Sequence, residues 1–126
     1  MKKTIYYHDT DCGGVVYYSN YLKFFEEART EFFAEKGFSI KELADGGTLF
    51  VVARQEIDYK APAGYGDILE IKVKVGQLGA AKIIFEHETI NQNGQLLNMA
   101  KTILVCVGRD FKPKAIPDDI RAKISV

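Results

Sequence analysis

The chain has 126 residues, 47% of them hydrophobic, with seven tyrosines, eight phenylalanines and no tryptophan. That is one domain's length, 1–126, with enough apolar mass for a sizeable core. Seventeen basic residues balance seventeen acidic ones and the pI is about 6.7, which argues against a nucleic-acid footprint or a polybasic membrane anchor. No apolar run approaches the ~20 residues of a spanning helix. The two cysteines make no disulfide framework, and no Cys/His cluster has zinc spacing.

Met1-Lys2-Lys3 runs straight into Thr4-Ile5-Tyr6, too short and too polar for a signal peptide, so the expected location is cytoplasmic. Residues 3–8 read as a strand, with Ile5 and Tyr7 alternating against Thr4 and Tyr6. A glycine loop follows, and then a helical pattern. Tyr18, Tyr21, Leu22, Phe25, Ala28, Phe32 and Phe33 recur at helical steps, while Lys23, Glu26, Glu27, Thr30, Glu31 and Lys36 fall largely on the other side. Ser19 or Asn20 is the candidate cap and Gly37 the candidate stop. At about 18 residues this helix would span roughly 27 Å.

Ser39-Ile40-Lys41-Glu42 has the capping-box pattern of a short second helix, ended by Gly46-Gly47. Four strands are expected over 49–59, 68–75, 81–90 and 96–107. The second alternates cleanly, Leu69, Ile71, Val73 and Val75 against Glu70, Lys72 and Lys74. Asn93-Gly94 predicts a hairpin with a type I′ turn, and Pro117-Asp118-Asp119 a C-terminal helical turn. The order of strand, long helix and four strands defines an α+β layer architecture, the helix lying on the apolar face of one antiparallel sheet.

The chemistry concentrates in Tyr7-His8-Asp9-Thr10-Asp11-Cys12-Gly13-Gly14-Val15-Val16-Tyr17-Tyr18-Ser19-Asn20-Tyr21. Two carboxylates precede two glycines and a helix start. A helix start carries unpartnered N–H groups at the positive end of its dipole. Glycines let a ligand approach the backbone, and a carboxylate held nearby can serve as base or nucleophile. From the residues alone, the favoured reading of Asp11 is the ordinary one, a turn former bonding its own backbone.

Asp-Thr-Asp-x-x-Gly-Val-Val-Tyr-Tyr-x-Asn-Tyr, running on into Phe25-Glu26-Glu27-Ala28-Arg29-Thr30-Glu31, resembles the 4-hydroxybenzoyl-CoA thioesterase family, and within it the YbgC-like, Tol-Pal-associated acyl-CoA thioesterases. Tyr59-Lys60-Ala61-Pro62-Ala63-Gly64-Tyr65-Gly66-Asp67 is similar to that family's loop after the second strand. The resemblance implies a hotdog fold, an antiparallel sheet of about five strands wrapped around one long central helix, and hydrolysis of an acyl-CoA thioester. It implies Asp11 as the catalytic carboxylate, the backbone N–H at Tyr18 as oxyanion donor, and Gly13, Gly14, Val15 and Val16 as the stretch against the substrate. No cofactor and no metal are implied. It also implies a homodimer that continues the sheet across the interface, or a dimer of dimers; the 49–59 strand is the expected edge, and acyl carrier protein is open as an alternative thioester donor.

The remaining candidates have ordinary readings. Asp9 is expected to shape the loop or hold Asp11's surroundings through backbone bonds. Glu26 and Arg29 at i,i+3 are either a surface pair of small value or tied into the sheet. Cys12 is expected to be incidental, Cys106 core, and His8 and His87 non-catalytic, since neither has an evident partner. Lys60, Lys72, Lys74, Lys82, Lys101, Arg109 and Lys112 are scattered, with no phosphate loop among them. An acyl-binding module without turnover and a hydratase on the same fold are the competing functions; the second calls for a His–carboxylate pairing not evident here.

Overall fold

The computed structural model describes residues 1–125. Five strands, β1 (Lys2–Thr4), β2 (Leu49–Tyr59), β3 (Ile68–Leu78), β4 (Lys82–Ile90) and β5 (Leu96–Val107), form one antiparallel sheet in the order β1-β3-β4-β5-β2. Three helices join them: α1 (Asn20–Glu35), α2 (Ile40–Asp45) and α3 (Asp118–Ile124). The sheet curls about α1, as a hotdog fold does. Its curvature follows bulges in β2 between Val52 and Arg54, in β3 between Val75 and Gln77, and between β4 and β5 at Thr89/Ile90. At the β3 bulge, Gly76 lets the Glu86 side chain lie close: a Cβ there would sit 2.8 Å from it.

Alternation sets which face is buried. Leu69, Ile71 and Val75 of β3, Ile83 and Phe85 of β4, and Ala100, Leu104 and Cys106 of β5 all turn inward toward α1. Two apolar clusters result. One gathers Tyr21, Phe24, Phe25 and Ala28 of α1 with Leu69 and Ile71; the other gathers Phe33 with Phe85, Leu104 and Ile120 of α3. Each such fully buried side chain contributes roughly 1.5–3 kcal/mol. The helix ends where glycine permits it. Gly37 takes φ 92°, its N–H donates to Ala34 C=O at 3.0 Å and that of Phe38 to Phe33 C=O at 2.9 Å, a Schellman stop with Phe38 folded back onto the second cluster.

Several local expectations are corrected. Residues 3–8 are not one strand: β1 ends at Thr4 and Tyr7–Asp9 form a 3-10 turn. The Asp9 carboxylate causes the break by accepting the Tyr6 N–H at 2.9 Å. On α1 the apolar stripe is rotated. Phe24 is buried and Leu22 exposed, because Phe25, Arg29 and Phe33 take the inner face against β4 and β5; Tyr18 lies ahead of α1 and is exposed. The β4–β5 connection is not a type I′ turn. Gly94 has φ 77° and Asn93 is not left-handed, giving a three-residue loop, Gln92-Asn93-Gly94, with a glycine bulge.

Candidate functional site

The site begins with Asp9, which is buried. Besides its carboxylate bond to Tyr6, its backbone carbonyl accepts the Tyr17 N–H at 3.0 Å and the Asn20 Nδ2–H at 2.9 Å. Asp9 therefore shapes the loop. Beyond it the chain reverses. Thr10 bridges to Val16, Asp11 N–H donates to Val15 C=O at 2.8 Å, and Gly14 N–H donates to Asp11 C=O at 3.1 Å. Gly14 has φ 81°, a conformation that penalises any Cβ. Asp11 Oδ1 accepts the Gly13 N–H at 2.8 Å, and Asp11 Oδ2 has no protein partner among the described residues. The carboxylate is thus fixed by one oxygen and exposed at the other.

After the turn, Val15 bridges to Gly64 and Val16 N–H donates to Ala63 C=O at 2.8 Å. Loop 60–67 braces this stretch and is itself braced by Asp67, whose Oδ2 accepts the Gly64 N–H at 2.8 Å. Tyr17 and Tyr18 follow, rings 4.9 Å apart. The Tyr17 phenol is raised above its usual pKa by the adjacent Tyr18 first, then by desolvation, and also by the Asp11 carboxylate. The Tyr18 N–H donates to no acceptor among the described residues. A cleft of about 290 Å³ opens beside it, lined by Val16, Tyr18, Tyr21, Tyr59, Lys60 and Pro62. Burial, with the Tyr59 and Asp67 charges, pushes the Tyr21 phenol up to about 12, so this wall of the cleft stays uncharged at neutral pH.

Asp11, Gly13, Gly14, Val15, Val16 and Tyr18 follow one another along this loop; of them Val16 and Tyr18 line the cleft. Of the scattered cations, Lys60 reaches the cleft. Lys72, Lys74 and Lys101 lie on the outer face of the sheet, around a larger hollow of about 580 Å³ among Glu56, Glu86 and Glu88, where Lys74 pairs with Glu86 at 3.6 Å. That hollow holds none of the loop's groups. Cys12 is exposed and Cys106 buried. Among the described residues no group of three or more His, Cys, Asp or Glu side chains is placed to hold a metal ion, and no helix is long and apolar enough to cross a membrane.

Arg29 is tied into the sheet. Its Nη1 donates to Thr102 Oγ1 at 3.1 Å and lies 3.4 Å from His87 Nε2, and Thr102 donates to Gln55 Oε1 at 2.6 Å. His87 stacks on Phe25 with ring centroids 4.6 Å apart. Burial first, and the Arg29 charge second, push its pKa down to about 3, so a neutral imidazole is held in the core away from the loop. Sequence reasoning left this network open. Its signal is Arg29's place on the apolar stripe, four residues after Phe25 and four before Phe33.

A curled five-stranded antiparallel sheet around one long helix is the hotdog architecture that solved thioesterases share. The chain belongs to the thioesterase-like superfamily, which matches residues 6–124, and it is a thioester hydrolase with the YbgC-like branch among its relatives. The acyl-CoA thioester hydrolase YbgC of Escherichia coli O6:H1 is 38% identical over 120 residues, covering 94% of this chain and 90% of that protein. The acyl-CoA thioesterase YbgC of Haemophilus influenzae is also 38% identical, covering 94% and 88%. Among solved structures, a 1,4-dihydroxy-2-naphthoyl-CoA thioesterase from Synechocystis superposes with a TM-score of 0.91 at 27% identity, covering 98% of this chain and 93% of that one.

Proposed function

We propose that the chain, as one catalytic domain over 1–126, hydrolyses acyl-CoA thioesters to the free acid and coenzyme A, with Asp11 as the reactive carboxylate and the Tyr18 N–H as oxyanion donor. What supports this is a carboxylate oxygen left free by its own turn and, on the same loop, the Tyr18 N–H ahead of α1, which donates to no acceptor among the described residues. The names of the relatives at 38% identity support the substrate class.

Two routes share this geometry. In one, Asp11 takes a proton from water as the oxygen attacks the thioester carbonyl. In the other, Asp11 Oδ2 attacks directly, the thiolate departs, and water hydrolyses the mixed anhydride. Both place negative charge on the carbonyl oxygen, where an aimed backbone donor in the positive field of α1 stabilises it. Coenzyme A leaves as a thiolate, so little acid assistance is needed. Gly13 and Gly14 leave room for the thioester, Val15 and Val16 flank it, and Lys60 is the cation nearest the cleft for the coenzyme's phosphates.

We further propose a cytoplasmic homodimer, or a dimer of dimers. The 11-residue β2 lies at the sheet edge with one side unpaired, and a long open edge is normally covered. Acyl carrier protein remains a candidate second thioester donor. The deciding experiment incubates the protein with a panel of aliphatic and aromatic acyl-CoAs and follows free thiol. Multiple-turnover thiol release that is lost in Asp11→Asn is expected. Tight acyl-CoA retention with no thiol release by the wild-type protein overturns the proposal.

A further inference from the structure

We propose that Asn20 and Tyr59 are positioning residues that hold the Tyr18 peptide in register with the Asp11 carboxylate, an inference that rests on the roles proposed above for Asp11 and Tyr18. Neither side chain does the work its place in the sequence suggests. An asparagine at a helix start normally caps by accepting an N–H of its own helix through its side-chain oxygen. Asn20 instead donates, from Nδ2, to the carbonyl of Asp9 eleven residues back, at 2.9 Å. Tyr59 ends the edge strand β2 and is about half exposed, yet its hydroxyl donates to the Tyr18 carbonyl at 2.9 Å.

Each bond fixes something the chemistry needs. A peptide is planar, with its N–H antiparallel to the preceding C=O. The Tyr17 carbonyl accepts the Asn20 N–H at 2.9 Å, so the Tyr18 N–H must point the opposite way, out of the helix. The next peptide plane is held through the Tyr18 carbonyl by Tyr59. Two successive planes around the Tyr18 Cα are therefore pinned. The Asp9 carbonyl then joins this unit to the loop, accepting both the Tyr17 N–H and the Asn20 amide two residues before Asp11. One carbonyl thus spans the carboxylate's strand and the donor's helix. A misplacement of about 1 Å between reacting groups is enough to cost ~10²-fold in rate.

Asn20→Asp separates this role from a capping one. A carboxylate at a helix start suits the dipole and accepts as well as asparagine does, so helix stability is retained, but the donor to Asp9 is gone. The expected result is a melting temperature close to wild type, kcat down roughly 10–100-fold, and KM for acyl-CoA changed by less than about threefold, since displacement of a transition-state donor spares ground-state binding. Tyr59→Phe removes only the hydroxyl and is expected to lower kcat in the same way. It decides the matter if Asn20→Asp does not fold. In the Asp11→Asn background the residual turnover still depends on the Tyr18 donor, so Asn20→Asp should lower it further. A kcat within about twofold of wild type in folded Asn20→Asp or Tyr59→Phe overturns the inference. Near-wild-type turnover in Asp11→Asn itself overturns the catalytic reading beneath it instead, so the two failures are distinct.

Discussion

Two turns in this molecule are built to one plan. In the site loop, Asp11 N–H bonds Val15 C=O, Gly14 N–H bonds Asp11 C=O, and Asp11 Oδ1 takes the Gly13 N–H. Between β4 and β5, Asn91 N–H bonds Gln95 C=O, Gly94 N–H bonds Asn91 C=O, and Asn91 Oδ1 takes the Asn93 N–H. The last loop residue is a left-handed glycine in both, φ 81° at Gly14 and 77° at Gly94. Both turns flank loop 60–67, one through the Val15–Gly64 bridge, the other through Gln92 Nε2 to Asp67 Oδ1 at 2.9 Å.

The differences between the two show what the plan does not require. Asn91 holds its turn with an amide, so the turn needs a side-chain acceptor but no charge. Asn93 occupies the position of Gly13, so the turn needs no glycine there. At Gly13 a Cβ would sit 3.2 Å from Asp11 Oδ1, crowding the carboxylate rather than straining the backbone. A charge and an open space are thus what the site loop has beyond its structural twin, and only the site loop leads directly into a helix start.

The largest expected effect comes from converting the first turn toward the second. Asp11→Asn should keep the turn, as Asn91 does, and leave the melting temperature within about a degree or two. It should lower kcat by ~10²–10⁴, the range for loss of a general base, with acyl-CoA binding retained by calorimetry. A large drop in melting temperature would mean that the charge is structural after all and that the analogy with Asn91 fails. Gly13→Asn, which copies Asn93, should come next. It should fold normally by circular dichroism and lose roughly tenfold in kcat/KM, because the added side chain lies against the carboxylate and occupies the approach to it. Unchanged kcat/KM would show that the thioester arrives from another side.

Much of this was legible in the chain. The alternation over 68–75 and the apolar runs at 49–59 and 96–107 mark strands whose ends fall within three residues of those observed, because period 2 is imposed by a sheet with one buried face. The site turn and the helix start were legible as a motif of short-range spacing. What was not legible is which partner each side chain bonds, near or far. That Asp9 would bend residues 3–8 into a 3-10 turn, that Arg29 would be sealed beneath Thr102, and that the Tyr59 hydroxyl would reach Tyr18 all depend on partners from 3 to 73 residues away. Asn20 shows the limit most sharply. A side chain that accepts from its own helix and one that donates to a distant carbonyl leave the same letter at the same place.

The smallest expected effect is also the most specific control. Asn91→Asp places a carboxylate in the same turn, on the same hydrogen-bonding frame, away from any helix start. The turn should tolerate it, since Asp11 already fills this position in its twin; the half-buried Asn91 loses its Nδ2 bond to Gln95 Oε1, at a cost of about 1 kcal/mol. No change in kcat or KM is expected, and the double variant Asp11→Asn/Asn91→Asp should be as inactive as Asp11→Asn alone. The reason is geometric: a carboxylate at Asn91 is not placed to act on a carbonyl whose developing oxyanion is held by the Tyr18 N–H. Recovery of thiol release in the double variant would show that any carboxylate bordering loop 60–67 suffices, and the role assigned to the Tyr18 N–H would then have to be withdrawn.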